Sequence, residues 1–255
     1  MDGDLKRIKI AGCPIDVIDK SGTLKYVEAS IKQGWQSRHG FVNAGKIVQI
    51  QSNAELLEAI STCDLICADG MAVVWASRYL GSPLPERING TNLMLDLVRL
   101  SHMKGYRLYM LGARPEVIEA AAKIFLADYP GIELVGWHHG YFSEEEESQI
   151  AASIRKLRAD IVLVGMGTPQ KEFWLKRNVP RIGAAFSMGV GGSFDVIAGV
   201  VKRAPTWAQD AGMEWFWRLL QEPRRMWRRY LIGNSYFIWL VARQKLRRMK
   251  GIDSD

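Results

Sequence analysis

Over roughly its first two hundred residues the chain alternates short apolar runs rich in β-branched side chains with stretches of helical spacing. That alternation limits the fold more than any other feature of the sequence. Residues 8–10, 41–43, 64–67, 107–111, 132–135, 161–164 and 184–188 read as strands. Between them Leu93, Leu97 and Leu100, and again Val117, Ala121 and Ile124, recur at helical intervals. Ser143 with Glu146 makes a capping-box pattern, so the acidic run 144–147 reads as the solvated first turn of a helix, where the dipole favours negative charge. Strand–helix alternation implies right-handed crossovers. The expected fold class is therefore α/β: a Rossmann-like, mostly parallel sheet with helices on both faces.

Composition agrees with a folded enzyme-sized chain and removes other classes. Of 255 residues, 48% are hydrophobic and 24% charged, which excludes wholesale disorder. Three cysteines, Cys13, Cys63 and Cys67, make neither a paired disulfide framework nor a zinc set. Residues 1–4 open no basic-then-apolar signal, so a reducing, cytosolic setting is expected. The net charge of +7 is concentrated at one end: residues 203–255 hold eleven Lys and Arg against five Asp and Glu. Five of the nine tryptophans lie there too: Trp207, Trp215, Trp217, Trp227 and Trp239. The expected organisation is an α/β core over 1–202 and a helical, basic and aromatic C-terminal appendage over 203–255.

In parallel sheets ligands bind beyond the carboxyl ends of the strands, so the residues following each strand carry the interest. Asp69, in Ala68-Asp69-Gly70, is placed either as a general base or as the cap of the next helix. Arg87 is presented from a proline-stiffened loop and suits a diphosphate or carboxylate, unless it pairs with Glu86 or another acid. Leu111-Gly112-Ala113-Arg114 is a strand–turn–helix junction able to hold an anion, but without the full glycine fingerprint of a nicotinamide site. Gly191 and Gly192, in the richest glycine loop, permit close backbone contact with a phosphate or sugar, and Asp195 can accept from a hydroxyl. His138-His139 invites a metal reading, but adjacent histidines on a strand point to opposite faces, so no metal site is expected.

Together these segments resemble the WecG/TagA/CpsF family of bacterial glycosyltransferases. The resemblance rests on Ala68-Asp69-Gly70, Pro83-Leu84-Pro85-Glu86-Arg87, His138-His139-Gly140-Tyr141-Phe142, the run 191–199 beginning Gly191-Gly192-Ser193, and Lys202-Arg203-Ala204-Pro205. They occur in the family's order across nearly the whole chain. The resemblance implies inverting transfer from a UDP-sugar to a sugar linked by diphosphate to a polyprenyl lipid, in building a cell-surface polysaccharide or teichoic acid. It implies no cofactor and no required metal, a peripheral position on the cytoplasmic face of the membrane, and possible self-association. By position it makes Asp69 the base and puts Asn43 near the donor sugar and reacting centre. It puts Arg87 by the diphosphate and Tyr141 and Asp195 in the nucleotide pocket. Arg218, Arg225 and Arg228 would close over the site.

Two departures from the family pattern fall near the donor. Phe41 stands where a threonine is frequent, and Lys171 replaces a glutamine in Gly167-Thr168-Pro169-Gln170-Lys171-Glu172. They leave the donor open among an N-acetylmannosamine-type sugar, its uronic acid and glucose. The uncharged run 230–242 is too short to span a bilayer, which takes about 20 apolar residues. With its flanking arginines it reads as an interfacial amphipathic element, or else as ordinary helix packed on the body. A nucleic-acid role for the basic, aromatic tail has the neutral core and the ordered loop motifs against it.

Overall fold

The computed structural model describes residues 5–205, 207–208, 214–221 and 223–251. Six strands form one parallel sheet in the order β4-β3-β8-β7-β5-β6: β3 Ser37–Val42, β4 Leu65–Ala68, β5 Leu108–Gly112, β6 Leu134–His138, β7 Ile161–Gly165 and β8 Phe186–Gly189. Strand alternation sorts the side chains into two cores. Leu65, Cys67, Leu108, Met110, Ile161 and Leu163 face one way, onto helices α1 (Lys20–Gln33), α5 (Gly90–Lys104), α6 (Pro115–Asp128) and the short α9 (Ser193–Ile197). Ile66, Ala68, Tyr109, Leu111, Val162 and Val164 face the other way, onto α2 (Ala44–Ile50), α3 (Ala54–Ser61), α4 (Met71–Tyr79), α7 (Glu144–Lys156) and α8 (Gln170–Ile182). A two-residue period buried on both faces is what makes these strands continuous apolar runs. The expected α/β architecture, with helices on both faces of a parallel sheet, is the one observed.

The N-terminal strand corrects the sequence reading. Residues 8–10 do form a strand, β1 (Arg7–Ile10), but it pairs antiparallel with β2 (Cys13–Asp16) in a separate hairpin. Pro14 disguised β2, since proline cannot donate to a ladder and argues against a strand. The hairpin is anchored through Asp16, which receives Arg7 Nε at 2.7 Å and the Ile66 backbone N–H at 2.7 Å. Strand β3 also begins earlier than expected, because Ser37, Arg38 and His39 break the apolar run although all six of its residues are buried. The capping box at Ser143 and Glu146 is present and opens α7.

Two further helices close the described chain, α10 (Glu214–Gln221) and α11 (Pro223–Met249). Along α11, Phe237 and Val241 enter the same apolar cluster as Ile8, Ile10, Val73 and Val74. Gln244 bridges the hairpin turn, accepting from the Ala11 N–H at 2.8 Å and donating to the Lys9 carbonyl at 2.9 Å. Tyr236, Ile238 and Trp239 are exposed on the remaining faces. One side of the helix therefore packs on the body, as the second reading of the tail expects, and the other leaves aromatics exposed. Among the described residues no helix is long and apolar enough to cross a membrane.

Candidate active site

Every expected site residue outside the tail lies near the carboxyl-end rim of the sheet. Strand β5 leads on to β6 on one side and β7 to β8 on the other, so a crevice opens between their ends. Both β5 and β7 end in a glycine, Gly112 and Gly165. A Cβ on Gly112 would stand 2.4 Å from the Gly165 carbonyl oxygen, and one on Gly165 would stand 2.3 Å from the Phe194 ring. Both glycines are thus needed for close packing at the strand ends, of β5 against β7 and of the Phe194 ring of α9 against β7, and Gly191 and Gly192 follow the end of β8.

At the β4 edge, the Asp69 N–H donates to the Val42 carbonyl at 2.7 Å, and the Ile88 N–H donates to the Ala68 carbonyl at 2.9 Å. The two bonds tie the Asp69 turn to β3 and to the loop presenting Arg87. Gly70, with φ +142, makes a turn that a residue with a Cβ would resist, and it is Gly70 that takes the N-cap position of α4. Asn43 is its neighbour, its Cβ lying 3.6 Å from where a Gly70 Cβ would sit. The Asn43 side-chain oxygen caps α2, accepting from the Lys46 N–H at 3.0 Å. Glu86, in the same loop as Arg87, accepts the Lys20 N–H at 2.7 Å at the start of α1.

Between the ends of β3 and β8 lies a buried charge cluster. Glu172 receives Lys46 Nζ at 2.7 Å and Lys171 Nζ at 3.1 Å on the same carboxylate oxygen. Lys46 also donates to the Phe41 carbonyl, and Lys171 to the Thr168 hydroxyl. The Lys171 stem crosses the end of β8 over Gly189, where a Cβ would lie 2.8 Å from it. Burial, helped by Lys46, pushes the Lys171 ammonium down to about 8 from its usual 10.5, while Glu172 and Asp69 oppose the shift. Burial alone would raise the Glu172 carboxyl, but the two ammonium groups outweigh it and hold it below the usual range. His39, buried on β3, is pushed down to about 3 by burial and then by Lys46, so it is neutral at physiological pH.

Lys46 and Glu172 were not expected at the site. Lys46 stands within an apolar stretch, Ala44-Gly45-Lys46-Ile47-Val48, which is the one signal that it is held inside. The Phe41 ring is buried in the core, edge-on to His39 at 4.4 Å and against the position of a Gly90 Cβ at 3.2 Å. It packs beneath the start of α5.

The remaining expected residues are spread along the rim. Asp195 sits in the first turn of α9, its carboxylate 3.7 Å from a Gly192 Cβ position. Ser193 joins that loop to α5 through a hydroxyl contact with Thr91 at 2.9 Å. Tyr141 is exposed beyond β6, its N–H donating to His139 Nδ1 at 3.3 Å. Strands β4 and β6 are opposite edges of the sheet, about 24 Å apart at ordinary strand spacing. Tyr141 is therefore not brought to Asp69 and can serve only the remote end of an extended ligand. The His138 and His139 rings lie 4.4 Å apart, not on opposite faces as expected, because β6 ends at His138 and alternation stops there. Among the described residues no three His, Cys, Asp or Glu side chains group closely enough to hold a metal ion. Arg218, Arg225 and Arg228 belong to α10 and α11, and their side chains lie outside the described residues.

A parallel sheet whose rim combines glycine-rich strand ends, a carboxylate and cationic groups is the arrangement of a group-transfer enzyme, and the comparisons make it a glycosyltransferase. The model of the glycosyl transferase WecG/TagA/CpsF family matches residues 8–251, and the chain belongs to that family. It is similar to the N-acetylglucosaminyldiphosphoundecaprenol N-acetyl-beta-D-mannosaminyltransferase of Staphylococcus aureus, with 36% identity over 194 residues and 76% of each chain covered. The protein of the same name from Bacillus spizizenii is 36% identical over 197 residues, covering 77% of this chain and 76% of its own.

Proposed function

We propose that the chain transfers a sugar with inversion from a UDP-sugar to a sugar carried on a polyprenyl diphosphate, at the cytoplasmic face of the membrane. The observation that carries this reading is the placement of Asp69 beside Asn43 and the Arg87 loop, at one end of a rim whose central strands end in glycine. The relatives are named as transferring N-acetylmannosamine to an undecaprenol diphosphate-linked sugar, which supports the same acceptor class here. The donor is an N-acetylmannosamine-type sugar, its uronic acid or glucose.

In this reading the acceptor hydroxyl attacks the anomeric carbon in line with the departing diphosphate. Asp69 takes the hydroxyl proton, and substrate burial raises its basicity towards the useful range. The bond from the anomeric carbon to UDP breaks as the new glycosidic bond forms. Arg87, with Arg218, Arg225 and Arg228, carries the charge developing on the diphosphate. Gly191, Gly192, Asp195 and Tyr141 hold the nucleotide, and Lys171 contacts the donor near its sugar. No metal and no cofactor take part, so turnover is expected to persist in excess chelator. A strict divalent-ion requirement would contradict the arginine assignment.

The direct test is Asp69→Asn. Loss of a positioned general base typically costs 10²–10⁴-fold in rate, so transfer should fall by about that factor. UDP binding, measured by calorimetry, should stay within about twofold, since the amide keeps the shape of the turn. Retained turnover would remove Asp69 from the role of base.

A further inference from the structure

Helix α4 begins two residues after Asp69 and carries the chain away from the site. Its buried side holds Val73, Val74, Ala76 and Ser77. Its outer side presents Trp75 and Tyr79, 53% and 57% exposed, with Arg78 between them. Positions four apart share a face, so the two aromatics stand one turn apart on the same side. On α11, Ile238, Lys245 and Met249 fall on one stripe by helical period, and Ile238 and Met249 are 65% and 74% exposed. The stripe adjoins α4: Lys245 Nζ lies 5.7 Å from the Tyr79 ring centroid, and Arg248 donates to the Leu80 carbonyl at 3.0 Å. Neither helix contains an acidic residue.

Amphipathic Trp and Tyr rings, long aliphatic side chains and snorkelling cations, with no carboxylate among them, are the chemistry of the membrane–water interface. We propose that this joint face of α4 and α11 is a docking surface for an anionic lipid bilayer, so that the core helix itself grips the membrane together with the tail. The charge argues for lipid over a second copy of the chain, because copies meeting through this patch would bring like charges together. The placement gives the grip a purpose. At 1.5 Å per residue the outer end of α4 lies within about 15 Å of Asp69. A bilayer seated on Trp75 and Tyr79 therefore holds its headgroup layer close to the base that must meet a lipid-borne acceptor. This purpose rests on the proposed acceptor class; the docking itself does not.

The test is flotation of the full chain with vesicles of phosphatidylcholine containing roughly 30% phosphatidylglycerol, an anionic surface that attracts basic side chains. Wild type is compared with the double variant Trp75→Ser/Tyr79→Ser, whose exposed positions leave the core intact, and with Trp35→Ser. Trp35 precedes β3, at the opposite end of the sheet, and is 37% exposed. The double variant should partition onto vesicles at least about tenfold less, and Trp35→Ser should float like wild type. Transfer to a polyprenyl acceptor embedded in vesicles should fall in parallel, while transfer to a short-chain, water-soluble diphosphate-linked acceptor stays unchanged. Unaltered flotation of the double variant overturns the proposal. So does unaltered flotation with lost self-association in sedimentation, which would make the patch an interface between copies. If wild type transfers nothing to the soluble acceptor while the double variant still floats less, the docking surface stands and the acceptor class is wrong.

Discussion

A carboxylate shared by two buried ammonium groups is an unusual load for the floor of a site. Glu172 can satisfy one lysine fully; the second adds desolvation and like-charge repulsion that its bonds to Glu172 and Thr168 offset only in part. Lys171→Met should therefore raise stability by about 1–3 kcal/mol at pH 7, leaving Lys46 and Glu172 as a simple pair. The pH dependence has a definite sign. The folded-state value of Lys171, about 8, lies below its ordinary 10.5, so between the two the unfolded chain binds more protons and wild-type stability climbs with pH. The penalty is complete below pH 8 and gone above about 10.5, so the variant's advantage should shrink across that window. Denaturant melts at several pH values check this, and a variant less stable than wild type at pH 7 would show that the cluster is net stabilising. The same change should weaken transfer if Lys171 touches the donor. Asp69 and the glycine loop were readable because each closely follows a strand, and Arg87 because prolines stiffen the loop that carries it. Lys46 and Glu172 were not, since their meeting is 126 residues apart in sequence and depends on α2 and α8 closing over the same strand end.

At the scale of elements, the alternating apolar runs placed all six strands of the parallel sheet, with ends shifted by a few residues, most at the start of β3 where polar side chains are buried. Strand β3 starts with Ser37, Arg38 and His39, all inside, and no hydrophobic pattern could announce them. The β1–β2 hairpin escaped because Pro14 sits within it and because pairing partners are a tertiary property. The tail followed the same rule: its 13 uncharged residues contain both a buried stripe and an exposed one, and only packing distinguishes them. Phe237, 4% exposed, lies in the cluster with the hairpin and α4, whereas Trp239, two residues on and facing another side of the helix, is 50% exposed. Phe237→Ala should cost about 3–5 kcal/mol, while Trp239→Ala should stay within about 0.5 kcal/mol. Equal, small effects in chemical denaturation would mean that α11 does not share the core's cooperative unfolding.

At the scale of the molecule, the sheet order decides which residues can act together. It sets Asp69, Asn43 and the Lys171 cluster at one end of the rim and Tyr141 at the other, with the glycine-ended strands β7 and β5 between. That order is invisible to a strand list, since six parallel strands admit many sequences of neighbours. A donor laid along the rim would span from nucleotide contacts near β6 to the reacting centre near β4, and the basic, aromatic faces of α4 and α11 would bring the acceptor to the same end. The most direct measurement is transfer from a panel of UDP-sugars to a sugar on polyprenyl diphosphate, in chelator and with anionic vesicles. The account predicts product with one donor class among N-acetylmannosamine, its uronic acid and glucose. Absence of product with every donor, together with failure of UDP to bind, would contradict it.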